Sequence, residues 1–311
     1  MTSGGLLTFG ETMGLVGADG IGRLEHARAV TFGIGGTESN VAVGVARLGG
    51  PATWIGRAGP DATGDLIEYR LRAEGVDAVV LRDTAFTGLM VKHRRTAGLL
   101  HVDYHRAGSA GSRLSPADIP PDLVRTAALL HVTGITPALS ATARATVFQA
   151  VETARDAGVP VSFDFNYRAK LWSRFDAAPV LRDLAARADI VFAGPDEAAL
   201  VVEGSPTSAL AAIGPREVIV KDGAHGCTAL IDGEPHTVAA LPVTVVDPVG
   251  AGDAFVAGYL ADRLAGATPR QRLTTAIAAG AWAVTVPGDC ENLATRADLA
   301  TLTTATDNVA R

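Results

Sequence analysis

The chain has 311 residues, of which 27 are basic and 33 acidic for a net charge of −6, and 48% are hydrophobic. That hydrophobic share excludes a disordered chain, the acidic balance leaves no basic surface for a nucleic-acid backbone, and no apolar run approaches the roughly 18 residues that cross a bilayer. The start, MTSGGLLTFGETMG, lacks the basic opening of a secretory signal, and Cys227 and Cys290 are too few and too isolated for a disulfide framework or a metal knuckle. A reducing cytoplasm is the expected setting, with neither nucleic acid nor membrane as partner.

In chain order, Met13 to Phe32 is glycine-rich, and residues 87–95 and 99–106 are strand-like runs separated only by Thr96, Ala97 and Gly98, which is hairpin spacing. These insertions, about 12–34 and 85–108, are expected to form a small β-sheet lid whose closure would exclude water from a site beneath it. From residue 128 the pattern changes. A strand over 128–133 is followed by a helix over 141–157, with Ala143, Val147, Ala150, Val151 and Ala154 at helical spacing. A strand at 159–163, a helix near 178–188 and strands at 189–193 and 217–221 come next. Strands separated by helices of this length pair in parallel. The expected fold class is therefore α/β, a doubly wound, mostly parallel sheet flanked by helices, with 1–311 as one domain and ligands at the carboxyl ends of the strands. Residues 303–311 read as a frayed tail.

Two glycine clusters carry chemistry. GIGGTESN at 33–40 fails as a dinucleotide fingerprint, because Glu38 stands at the third glycine position and no strand of adequate length is expected to feed it. It is either a turn capped by Ser39 or Asn40 or a ligand loop. The second, VVDPVGAGDAFVAG at 245–258, ends an apolar run at Asp247, turns through Gly250, Ala251 and Gly252, and opens a helix near residue 252 or 253. Such a turn aims unpaired backbone N–H groups at one point beside a helix N-terminus, as needed to hold a polyphosphate. Asp253 is then either an N-cap or a group facing the ligand.

Together these clusters, about 200 residues apart, resemble the signatures of the ribokinase-like, or PfkB, carbohydrate kinases. Gly35, Gly36, Asn40 and Ala42 resemble the sugar-side motif, and Asp247-Pro-x-Gly-Ala-Gly-Asp253 the C-terminal one. The resemblance implies that Asp253 is the catalytic base and that the backbone of Gly250, Ala251 and Gly252 is the anion hole for the transferred phosphoryl group. It also implies ATP with Mg²⁺, a monovalent cation as a further option, and a homodimer formed through the lid. Lys221, Gly223 and Gly226 match the family's glycine turn near the nucleotide, and the helix over 269–286 its adenine-side wall. Family members carry Asn-x-x-Glu where this chain reads Gly194-Pro-Asp-Glu197, so Glu197 alone is carried over, as an indirect metal group.

The hydroxyl donor is read from the hairpin and from residue 168. On residues 99–106 Leu100, Val102, Tyr104 and Arg106 share one face and Leu99, His101, Asp103 and His105 the other. The His/Asp face is either solvated or a metal site. Tyr104 and Arg106 suit an acidic, hydroxylated ligand or simple packing. Arg168 follows a buried strand and either holds a carboxylate through two parallel hydrogen bonds or pairs with a neighbour such as Asp164. Asp164-x-Asn-Tyr-Arg168-x-x-Leu171-Trp172, with Tyr104-x-Arg106-x-Gly-Ser-Ala110, resembles the 2-keto-3-deoxygluconate kinase branch. That resemblance implies substrate contacts from Gly35, Tyr104, Arg106, Arg168 and Asp289, with Arg168 near the carboxylate. Met90 stands where a tyrosine is frequent. The implied activity is ATP-dependent phosphorylation of a keto-deoxy sugar acid. A neutral-sugar kinase of fructokinase or ribokinase type, and a non-catalytic sugar-acid sensor, are the alternatives.

Overall fold

The computed structural model describes residues 4–96 and 98–304. The chain opens with β1 (Leu6–Phe9), departs into β2 (Met13–Ile21) and β3 (Val30–Gly35), and runs through α1 (Thr37–Arg47) to β4 (Ala52–Ala58), α2 (Ala62–Ala73) and β5 (Asp77–Arg82). A hairpin of β6 (Leu89–Thr96) and β7 (Leu99–His105) follows, then α3 (Pro121–Thr126), β8 (Leu129–Thr133), α4 (Thr136–Leu139) and α5 (Ala141–Asp156). Next come β9 (Val161–Asp164), α6 (Arg174–Arg187), β10 (Ile190–Ala193), α7 (Pro195–Ala198), α8 (Pro206–Ala211) and β11 (Glu217–Lys221). A second hairpin, β12 (Cys227–Ile231) and β13 (Glu234–Val238), precedes α9 (Ala251–Leu264), α10 (Pro269–Ala283) and α11 (Arg296–Thr304).

Nine strands form one sheet in the order β13-β12-β11-β10-β9-β8-β1-β4-β5, with β12 and β13 antiparallel at one edge and the rest parallel. Alternation along each strand sends Leu6, Leu129, Ile190, Phe192 and Ile219 into a core shared with α1, α2, α9, α10 and α11. Leu7, Leu130, Val191, Val218 and Val220 enter a second core with α3, α5, α6 and α8. A sheet buried on both faces needs mainly apolar residues at successive positions, and its polar exceptions, His131, Thr133, Ser162 and Asp164, are buried side by side on β8 and β9. Four remaining strands make a separate sheet, β3-β2-β6-β7, in which β2 and β6 are parallel and the other neighbours antiparallel.

The large sheet reverses its winding at β1. The chain proceeds from β1 to β4 and β5 on one side and from β8 to β11 on the other, so a crevice opens at the carboxyl ends of β1 and β8. The helix expected near 178–188 starts earlier, at Arg174, because Ser173 accepts a hydrogen bond from the Asp176 amide, and Pro179 is carried inside it. The expected tail at 303–311 includes two residues that finish α11, and the remainder lies outside the described residues. No helix among the described residues is long and apolar enough to cross a membrane.

Candidate active site

The segment 33–40 departs from its sequence reading. The six-residue strand β3 feeds it directly, and Ser39 and Asn40 lie inside α1 rather than capping it. Ser39 Oγ instead donates to the Gly36 carbonyl, 2.9 Å away. The first turn of α1 thus points Thr37, Glu38 and Asn40 inward, all of them buried. An added Cβ at Gly36 would stand 2.4 Å from the Glu11 carbonyl, and one at Gly35 would stand 2.0 Å from Asp289 Oδ2 and 2.2 Å from Met90 Cε. Close approach to backbone requires glycine at position 36, while a side chain at 35 would have to displace Asp289 and Met90.

Asp253 is the meeting point. Its helix, α9, is seated on the sheet by Phe255 and Tyr259, which meet Phe192 of β10 edge-on at 6.4 and 5.3 Å, and by Tyr259, whose hydroxyl donates to Glu217 at 2.6 Å. The helix begins at Ala251 behind Gly250, whose φ of 80° is left-handed, so Asp253 occupies the third helical position and is not the cap. Its carboxylate turns to the other glycine cluster: Oδ1 accepts from Thr37 Oγ1 at 2.6 Å and Oδ2 from Asn40 Nδ2 at 2.8 Å. Asn166, left-handed at φ 39°, donates to Thr37 Oγ1 at 2.7 Å. Asn40 Nδ2 also donates to Asp289 Oδ1 at 2.8 Å. Burial, and next the charge of Asp253, push the Asp289 carboxyl up to about 7.

The first carbonyl used within α9 is that of Gly250, which accepts from the Ala254 amide at 2.8 Å. The amides of Ala251, Gly252 and Asp253 therefore have no intrahelical partner, the arrangement that binds anions at a helix N-terminus. Lys221, at the end of β11, stands beside them: a Cβ on Gly252 would be 3.8 Å from Lys221 Nζ. The same ammonium binds Asp164 at 2.7 and 2.9 Å. Burial nevertheless pushes the Asp164 carboxyl up to about 6. After β11, Gly223 and Gly226 bracket a tight turn, closed by the Asp222 amide donating to the Gly226 carbonyl at 2.8 Å, and Gly226 has a φ of 97°.

Glu197, read from sequence as an indirect metal group, is held by backbone. Its Oε1 accepts from the Tyr167 amide at 2.8 Å and its Oε2 from the Gly194 amide at 2.7 Å, so both oxygens are taken by backbone. The small sheet brings Tyr104 and Arg106 toward the crevice on the face that also carries Met13, Leu15 and Met90. Lys170 reaches across to it, 5.7 Å from the Tyr104 ring and 3.0 Å from the Val102 carbonyl. Arg106, read from sequence as a guanidinium waiting for an anion, is already paired with buried Glu11. Arg168 does not pair with Asp164, which Lys221 has taken. It is exposed, and among the described residues no hydrogen bond or ion pair engages its side chain.

The partners of three acidic groups escaped the sequence reading. Glu11 holds Arg106, Asp247 accepts from Lys92 Nζ of β6 at 2.7 Å, and Glu38 accepts from Thr133 at 2.7 Å and Thr136 at 2.6 Å. Burial pushes the Glu38 carboxyl up to about 7. Glu11 stands alone in unpatterned sequence, whereas Asp247 and Glu38 lie inside the two glycine motifs without a partner being legible there. The one available signal was the apolar or small company of Glu38, where a charge has no place unless it is bonded.

A helix start that can cradle phosphate, with a carboxylate beside it facing a second glycine cluster, defines a phosphotransferase type of site. The model of the pfkB family of carbohydrate kinases matches residues 5–296. The chain belongs to that family. It is 35% identical over 308 residues to the 2-dehydro-3-deoxygluconokinase of Bacillus subtilis (strain 168), covering 96% of this chain and 95% of the relative. It is 37% identical over 299 residues to a fructokinase of Klebsiella pneumoniae, covering 90% and 93%. The crystal structure of 2-dehydro-3-deoxygluconokinase from Thermotoga maritima superposes with a TM-score of 0.88 at 26% identity, over 98% of this chain and 99% of that one.

Proposed function

We propose that this protein transfers the terminal phosphoryl group of ATP, taken up as its Mg²⁺ complex, to the terminal hydroxyl of a keto-deoxy sugar acid, 2-keto-3-deoxygluconate first among them, giving the 6-phosphate. Asp253 is the base that receives the hydroxyl proton, while Thr37 and Asn40 fix its two oxygens and Asn166 holds Thr37 in turn. The amides of Ala251, Gly252 and Asp253 and the ammonium of Lys221 stabilise charge spread over the equatorial oxygens of the migrating group, where most of the catalysis of phosphoryl transfer arises. Mg²⁺ supplies further charge neutralisation on the phosphates. It needs only one or two protein carboxylates, and Asp164, whose side chain is bound among the described residues by Lys221 alone, is the group suited to that role rather than Glu197.

The four-stranded sheet acts as a lid, with Gly35, Gly36, Asn40, Tyr104, Arg106 and Asp289 around the sugar. On the opposite face of that sheet Val30 and Phe32 are 47% and 63% exposed, which supports pairing of two copies through it. Gly223 and Gly226 form the turn beside the nucleotide.

The observation that carries the substrate class is Arg168, a guanidinium at the carboxyl end of β9 with no anion of its own. A substrate carboxylate fits it by two parallel hydrogen bonds. The pairing of Arg106 with Glu11 favours the second reading, a neutral-sugar kinase, because it removes one of two positive groups. A coupled ADP assay over sugar acids and neutral sugars with ATP and Mg²⁺ decides. Turnover of neutral sugars alone overturns the sugar-acid reading, and no turnover of any acceptor overturns kinase activity itself.

A further inference from the structure

Glu11 follows β1 and is 2% exposed. Two glycines make room for its side chain: a Cβ at Gly111 would stand 2.3 Å from Glu11 Cγ, and one at Gly88 would stand 2.9 Å from Glu11 Oε1. A carboxylate withdrawn from water this completely must be compensated. Glu11 Oε1 accepts from the Ser109 hydroxyl, and Oε2 forms an ion pair with Arg106 Nη2 while accepting no hydrogen bond among the described residues.

The consequence falls on Arg106. Its side chain is 12% exposed, its guanidinium carbon is 5.8 Å from the centre of the Tyr104 ring, and its Nε is buried with no hydrogen-bond partner. Glu11 and Tyr104 thus flank the guanidinium. The pair is electrically neutral, yet an N–H donor remains unspent. Arg168 has the opposite character, being exposed and without a counter-charge.

We infer that Glu11 is a positioning residue for the acceptor: it cancels the charge of Arg106 and fixes its plane, so that Arg106 donates to an uncharged oxygen of the sugar, a hydroxyl or the keto group. The carboxylate of an acid substrate then falls to Arg168 alone. This division of labour rests on the sugar-kinase reading and refines it, since one guanidinium reads shape and the other reads charge.

The test uses Glu11→Gln, Arg106→Gln and the double variant in the full-length protein, with whichever acceptor the wild type phosphorylates best. Glu11→Gln is expected to raise the acceptor KM at least fivefold and to leave the ATP KM within twofold. In the double variant the acceptor KM should equal that of Arg106→Gln alone, because Glu11 acts through that residue. Multiplicative effects in the double variant, or an equal rise in the ATP KM, overturn the assignment. Should Glu11→Gln fail to fold, Arg106→Gln still decides: it should raise KM by the same factor for an acid and a neutral acceptor, whereas a loss confined to the acid overturns the inference. A wild type active only on neutral sugars would sink the sugar-acid reading and leave the comparison of Glu11 with Arg106 standing.

Discussion

Asp253 and Asp289 share one hydrogen-bond donor, the side-chain amide of Asn40, which lies 2.8 Å from an oxygen of each. Two carboxyls at one amide are easiest to hold when only one is charged. Asp289, pushed up to about 7, is the one that carries the proton near neutrality. A protonated carboxyl can donate as well as accept, which suits a group beside sugar hydroxyls.

Stability should report this directly. Asp289 and Glu38, both raised to about 7 by burial, keep protons in the folded chain that they lose near pH 4 when unfolded. Between those values the unfolded state binds fewer protons, so stability is fully present at acid pH and falls as pH rises through about 7. The ligand-free protein should melt lower at pH 8 than at pH 5.5, and Asp289→Asn or Glu38→Gln should flatten the difference. A melting temperature that climbs across this window in the wild type contradicts the assignment.

Replacing Asp253 by Asn keeps the size of the group and its place at the start of α9 but removes the proton acceptor. Turnover is expected to fall by about 10²–10⁴-fold, with nucleotide affinity by calorimetry close to that of the wild type. Near-normal turnover would remove Asp253 from the reaction.

Lys221 and Asp164 can be separated from each other. Removing the ammonium alone, as Lys221→Met, strands a buried carboxylate and should destabilise the fold by roughly 3–5 kcal/mol. Adding Asp164→Asn should restore most of that stability without restoring the KM for ATP. If the double variant regains both, Lys221 serves the fold and not the phosphate.

For Arg168→Gln, losing a charge-assisted contact worth about 1.5–3 kcal/mol raises the KM of an acid substrate roughly tenfold to a hundredfold. A neutral sugar should show little change. Equal losses on both would show that Arg168 does not read the carboxylate.

Phe32→Glu places a charge on the exposed face of the small sheet. If two copies pair there, light scattering should record a dimer for the wild type and a monomer for the variant. A monomeric wild type would refute the pairing.

How far the sequence could be read follows from where its periodicity is clean. From β8 to β11 the strands are short, mainly apolar runs between helices, so the parallel sheet and its order along the chain were legible, and the loop at 250–253 announced itself through its glycines. β3 lies in the stretch expected to join the lid sheet, but its run into the glycine cluster was hidden because its first three residues, Val30, Thr31 and Phe32, are exposed while its last three include two glycines. The residues alone left Asp253 as a cap or a ligand-facing group, because only tertiary contacts, to Thr37 and Asn40, reveal which way its carboxyl turns. The pairing of Arg106 with Glu11 and of Asp164 with Lys221 joins residues distant in sequence, and no local pattern records such partners. Of the two arginines that the sequence offered to an anion, the fold pairs Arg106 and leaves Arg168 without a counter-charge among the described residues.

Gly44 lies two turns beyond Thr37 on α1, where an added Cβ would stand 2.5 Å from Ala257 Cβ, one turn beyond Asp253 on α9. At that crossing the two helices lie almost backbone to backbone, and the spacing between the base and the residues that clasp it is inherited from a joint touching neither reactant. A methyl group there would act as a wedge, prying the halves of the site apart by a fraction of an ångström. Such a lesion would leave each substrate able to dock and the transfer between them slow, the signature of a misaligned hinge pin rather than a missing tool.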